Sequence, residues 1–200
     1  MERNIEQEAW KVNAKILAEY VWKNMVNRTD FWGACAGGTD NGRVTRPKVK
    51  NRGKHFLTQK VIQAHFELSD DRTKIIGLHS ISPQNTSRGF AIDIDLHDDD
   101  VGVDPKANEA ASRAWVDKLK NLGLNPLLME SNGNGGYHLR VNLDQPAPTS
   151  DVYAFAKALV ADYATYGLKT EPETFPKQSA VNKEGKGQYG NWLRLFGKGL

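Results

Sequence analysis

Apolar side chains recur at helical spacing through the first segment, where Ile5, Trp10, Ile16, Leu17, Tyr20, Val21 and Met25 predict an amphipathic helix from Glu2 to about Asn27. The pattern dissolves between Gly33 and Gly53, a stretch rich in Gly, Asn and basic residues that reads as a loop or a loose hairpin. Helical spacing returns from Leu57 to Leu68, and Ile75 to His79 and Phe90 to Leu96 then read as strands. In the second strand Ile92 and Ile94 alternate with Asp93 and Asp95, so both aspartates project from one face.

Asp104-Pro105 has the form of a helix start, an acid at the N-cap and proline in the first turn, and Ala107 to Leu122 continues it until Gly123. Leu127 to Glu130 is a short strand. Beyond the turn Asn132-Gly133-Asn134-Gly135-Gly136, Tyr137 to Leu143 alternates as its hairpin partner, with His138 and Arg140 on one face and Leu139 and Val141 on the other. Ser150 is the predicted cap of a helix to about Tyr166, and Thr170 to Phe175 and Trp192 to Phe196 are two further strands. No internal repeat or low-complexity linker interrupts the chain.

Composition narrows the class. The 200 residues suffice for one domain with a real core, and a hydrophobic content of 39% with 26% charged residues is ordinary for a soluble protein. No apolar run approaches the roughly 18 residues of a membrane span. The start of the chain lacks the apolar core of a secretory signal, and the single cysteine, Cys35, excludes an internal disulfide; together these predict a cytoplasmic setting.

The net charge of +3 says less than its distribution. Between Asp40 and Glu67 there is no acid, while Arg43, Arg46, Lys48, Lys50, Arg52, Lys54 and Lys60 supply seven cations. Asp93, Asp95, Asp98, Asp99, Asp100 and Asp104 then crowd twelve positions, a density that repels itself unless cations or solvent intervene. A basic track beside an acidic focus suits metal-dependent chemistry on a polyanion.

In-line phosphoryl transfer uses two divalent cations roughly 4 Å apart, bridged by carboxylates. Aspartates at i and i+2 on a strand point the same way and can share both ions, whereas adjacent residues face apart. A lone Asp-x-Asp is more often a solvated strand end, but Phe90-Ala91-Ile92 and Ile94 frame this one as part of a core strand. Asp98, Asp99 and Asp100, after His97, read as a solvent-screened loop, and neither His97 nor His79 has metal-site spacing. Glycines before Tyr137-His138 permit close approach of backbone to phosphate, to which the histidine can donate a hydrogen bond. Trp22, Phe31 and Trp32 are candidates for base stacking, with core packing the commoner role of such aromatics.

Three segments in order, Phe90-Ala91-Ile92-Asp93-Ile94-Asp95, Ser131-Asn132-Gly133-Asn134-Gly135-Gly136-Tyr137-His138 and Gly190-Asn191-Trp192-Leu193-Arg194-Leu195, resemble the successive motifs of the archaeo-eukaryotic primase superfamily, in its primase-polymerase branch. Phe175-Pro176-Lys177-Gln178 is similar to the primase domains of TOTE conflict systems and related mobile-element primases. The resemblance implies an α/β (α+β) fold, an RRM-like antiparallel sheet carrying the catalytic residues and joined to an N-terminal α/β lobe. It implies one catalytic domain over 1–200, with a helical and basic lobe to about residue 74 and the RRM-like part from 75.

It also implies roles. Asp93 and Asp95 would hold two magnesium or manganese ions with a third carboxylate, for which Glu173 is the choice and Glu171 the alternate, since no aspartate stands in that region. His138, the backbone around Gly136, and Arg140, Arg194, Lys177 and Lys198 would meet the phosphates of a nucleoside triphosphate. For Arg43 to Lys54, contact with a DNA template or primer is favoured over a solvated loop. A helicase partner or fused domain is an expectation of the resemblance alone, since no Gly-x-x-x-x-Gly-Lys-Ser/Thr run is present. The implied activity is a DNA primase-polymerase. Two other classes compete with it: a metal-dependent nuclease, which has no use for a triphosphate-binding set, and a non-catalytic RRM-like binding module, which would carry aromatics on its sheet face.

Overall fold

A computed structural model describes residues 8–34, 39–40, 43–44, 48–50, 56–67, 74–95, 105–131, 135–182 and 189–197. The first helix is helical over 8–12 and continues as α1 (Ala14–Asn24), whose Ala14, Ala18 and Val21 are buried at one-turn spacing. They meet α2 (Gln59–Glu67), which buries Ile62, His65 and Phe66. Ile16 and Tyr20, counted on the packed stripe from sequence, face outward instead, with Ile16 64% exposed. Small alanines occupy the inward positions because the two helices lie close together.

Two antiparallel four-stranded sheets organise the rest. The first runs β10 (Trp192–Arg194), β5 (Ile76–His79), β1 (Phe31–Ala34), β4 (Lys48–Lys50), and one of its faces packs on α1 and α2 through Trp32, Ile76 and Leu78. The stretch from Gly33 to Gly53, expected to be a loop or loose hairpin, therefore contributes two sheet strands, β1 and β4, as well as a small hairpin of β2 (Thr39–Asp40) and β3 (Arg43–Val44). Its glycines and cations mask the strand pattern, because a strand covered on only one face needs few apolar residues.

The second sheet runs β7 (Pro126–Glu130), β8 (Tyr137–Pro148), β6 (Thr86–Ile94), β9 (Glu173–Phe175). Phe90, Ile92 and Ile94 of β6, with Leu139 and Val141 of β8, bury against α3 (Pro105–Asn121) and α4 (Thr149–Val160) around the fully enclosed Trp115. Alternation then turns Ala91 and Asp93 to the opposite face. Gly123, at φ +79°, ends α3 as expected. The start of α4 is not capped by Ser150. The buried Thr149 anchors it, donating its backbone N–H to Asn85 O at 2.9 Å and sharing a hydroxyl contact of 3.0 Å with Ser87. That helix stops at Val160, short of Tyr166, and a single 3-10 turn (Tyr163–Tyr166) follows.

Beside this turn Asp162 accepts from Trp115 Nε1 and Tyr166 Oη, each at 3.0 Å, and pairs with Lys118. Burial works against its charge, but these partners hold its carboxyl down to about 2.

The sheets do not follow the expected lobe boundary near residue 75. Both β5 and β10 belong to the first sheet, so the end of the chain returns to the N-terminal lobe. Strand pairing across more than a hundred residues leaves no local signature, which is why periodicity did not place β10. No helix among the described residues is long and apolar enough to cross a membrane.

Candidate active site

The register of the second sheet aligns four residues in one row: Met129 of β7, His138 of β8, Asp93 of β6 and Glu173 of β9. Residues directly opposite in an antiparallel pair share a face, so His138, Asp93 and Glu173 project together on the side away from α3 and α4. The adjacent row on this face holds Arg140, Ala91 and Phe175. Residues 45 and 80 positions from Asp93 in the chain are thus its immediate neighbours.

His138 Nε2 stands 3.0 Å from Asp93 Oδ1, with both side chains largely enclosed. The contact lacks the alignment of a hydrogen bond, and Asp93 Oδ1 is buried with no hydrogen-bond donor. A buried carboxylate oxygen in this condition favours a cation. Asp95 is exposed one residue beyond the end of β6, and its backbone carbonyl is held by Asn108.

The two candidate glutamates have different surroundings. Glu173 lies on β9 in register with Asp93 and pairs with Lys177, whose Nζ also sits 4.8 Å from the Phe175 ring. Glu171 precedes the strand and pairs with Lys157 of α4, on the helical side of the sheet. Strand parity from sequence put the two glutamates on one face; the ion pair with α4 separates them. Among the described residues no three His, Cys, Asp or Glu side chains stand close enough to hold a metal ion. Carboxylate oxygens are the donors that suit magnesium or manganese, and the orphaned Asp93 Oδ1 fits that use.

Cations surround the row. Arg140 is buried and donates from Nη2 to the backbone carbonyl of Arg194, while Arg194 donates from Nη2 to the carbonyl of Ser131. Burial lowers the Arg140 guanidinium to about 10; the Asp93 charge opposes that shift and Arg194 adds to it. It therefore remains charged at neutral pH, a fixed countercharge to Asp93 that also braces β10. Lys198, Arg46, Arg52 and Lys54 lie outside the described residues, whereas Arg43, Lys48 and Lys50 fall on β3 and β4.

Two residues of the site carried no assigned role from sequence. Asn108, buried on α3, donates from Nδ2 to the carbonyls of Asp95 at 3.3 Å and Gly135 at 3.0 Å. It ties the end of the aspartate strand to the glycine turn, and a lone Asn in a helix offers no pattern that announces this. Ser131, at the start of that turn, is buried with its hydroxyl unpartnered and accepts at its carbonyl from Arg194. The turn closes with Ser131 N–H donating to Gly136 O at 2.9 Å, and Gly135 adopts φ +86°, which only glycine takes without strain.

The sequence profile of the TOTE conflict system archaeo-eukaryotic primase domain matches residues 14–195. Among solved structures, the chain is similar to the polymerase domain of Mycobacterium tuberculosis ligase D in complex with DNA, with a TM-score of 0.52 at 14% identity. That match covers 80% of this chain and 63% of the other. No curated protein gives a significant sequence match.

Proposed function

The chain belongs to the archaeo-eukaryotic primase domain family of TOTE conflict systems, and from that premise we propose that it is a DNA-directed primase-polymerase joining nucleoside triphosphates on a template. Nucleotidyl transfer is the kind of function the family supports. What carries the finer reading is the row of His138, Asp93 and Glu173 on one sheet face, with Arg140 and Arg194 beside it.

Asp93, Asp95 and Glu173 would hold two divalent ions, magnesium or manganese, which when bound supply Lewis acidity at the reacting phosphate. The residues around them have separate work. His138 and the Gly136 backbone would bind the triphosphate at the foot of β8. Arg194 and Lys177, the latter paired with Glu173 here, would neutralise its charge. Arg140 would stand as a fixed positive charge beside Asp93 and fix β10. The basic segment Arg43 to Lys54 would track the template or primer backbone, and a helicase, fused or separate, would present the template.

The test is incorporation of labelled nucleotides on a single-stranded template with manganese, with and without primer, beside the Asp93→Ala/Asp95→Ala double variant. Product without primer identifies a primase, and extension only with a primer identifies a polymerase. No incorporation by the folded protein across metals and templates refutes the reading. Shortening of the template would mark a nuclease instead.

A further inference from the structure

We propose that the open face of the first sheet is a stacking platform for single-stranded DNA, a partner surface that rests on the template-directed reading above. The register places Trp192 and Arg194 of β10, Gly77 and His79 of β5, and Phe31 and Gly33 of β1 on one face, with His79 buried beneath the ring of Tyr189 5.8 Å away. Positions 48 and 50 of β4, both lysine, are opposite Gly33 and Phe31. The helices that pack on this sheet do so on the other face, through Trp32, Ile76 and Leu78.

Gly33 and Gly77 face each other across the β1–β5 pair, and the Trp192 indole lies over both. A Cβ would come within 2.2 Å of the indole at Gly33 and 1.9 Å at Gly77, distances no side chain tolerates. Two glycines therefore let a large ring lie flat on backbone, with one side spent on the sheet. Trp192 remains only half-buried. Trp115 behaves differently: it is wholly enclosed and its N–H is bonded to Asp162. The ring of Tyr189 adds a second aromatic surface, 4.5 Å from Phe31, and the Phe31 ring also neighbours Arg28, 4.9 Å away and already paired with Asp30 at 2.7 Å.

The charge on this face selects the occupant. None of the positions in β1, β4, β5 or β10 is acidic; the register sets lysine positions 48 and 50 at the edge of the sheet, and among the described side chains of these strands Arg194 carries the positive charge. Aromatic planes interleaved with cations suit a single strand, which offers base faces and phosphates together; a duplex keeps its base faces stacked inside. Arg194 joins this face to the candidate active site, because its guanidinium reaches the Ser131 carbonyl at the glycine turn. A strand lying on Trp192 would run toward Asp93.

The full chain is titrated against a labelled 20-nucleotide oligo-dT and the matching duplex by fluorescence anisotropy, with tryptophan emission read in parallel. Wild type should prefer the single strand and lose emission on binding. Trp192→Phe should keep affinity within about twofold but show less quenching, whereas Trp192→Leu should lose about tenfold. Binding of a deoxynucleoside triphosphate with manganese should stay within twofold in both, which a merely structural loss would not allow. If Trp192→Leu does not fold, Phe31→Leu and the quenching of Trp192→Phe carry the test. Equal affinity and undiminished quenching in the variants overturn the platform, as does preference for duplex. Absence of any DNA binding by wild type overturns the template-directed reading itself, and the platform with it.

Discussion

The two sheets share a plan and differ in what they leave open. Each is antiparallel, four-stranded and covered on one face by a pair of helices. The face of the second sheet turned away from its helices carries His138, Asp93, Glu173 and Arg140, ionisable groups brought into register. That of the first carries Trp192 on two glycines, Phe31 and lysine positions, with no acid within its strands. The difference is physical. A compact focus of opposite charges suits metal and triphosphate, while aromatic area with dispersed cations suits a flexible polyanion. β10 joins them, placing Leu193 against Ala91 and Phe175 of the second sheet.

The sharpest way to break the contrast is to remove the charge focus. Asp93→Asn should lower nucleotide incorporation by about a thousandfold, several kcal/mol of transition-state stabilisation, with melting temperature retained. Comparable incorporation would end the assignment. The glutamates provide an internal control: Glu173→Gln should cost about a hundredfold, whereas Glu171→Gln, which loses only the Lys157 pair, should stay within about twofold. Reversal of that order in the same assay would move the third carboxylate.

The first sheet is broken by bulk rather than charge. Gly77→Ala should destabilise the fold by about 1–3 kcal/mol in urea titration, because a Cβ there collides with the Trp192 ring. Combining it with Trp192→Leu should recover most of that loss. Asn108→Ala should cost about 1–2 kcal/mol and raise KM for nucleotide more than it lowers kcat, since it releases the glycine turn from the Asp95 carbonyl. Steady-state kinetics would detect the split, and an equal effect on both constants would make Asn108 merely structural.

The smallest effect lies in the helical layer and leaves both open faces intact. Asp162 has a carboxyl lowered to about 2 in the folded protein against 3.8 ordinarily. A depressed acid contributes stability that is present above the ordinary value and lost as pH falls through the folded one. Asp162→Asn should therefore melt lower than wild type at pH 6, and the gap should close between about pH 4 and 2.

Local pattern in the sequence determined the helices, the aspartate strand, the glycine turn and its hairpin, because periodicity, turn residues and breakers act between near neighbours. It also determined which residue types were candidates. Tertiary structure alone decided that β10 returns to the first sheet, that Glu173 rather than Glu171 is in register with Asp93, and that Asn108 ties two motif ends together. Sheet register brings residues tens of positions apart to a few ångströms, and nothing in local spacing encodes it. The same holds for Gly33 and Gly77, ordinary in a glycine-rich chain until the fold lays Trp192 across both.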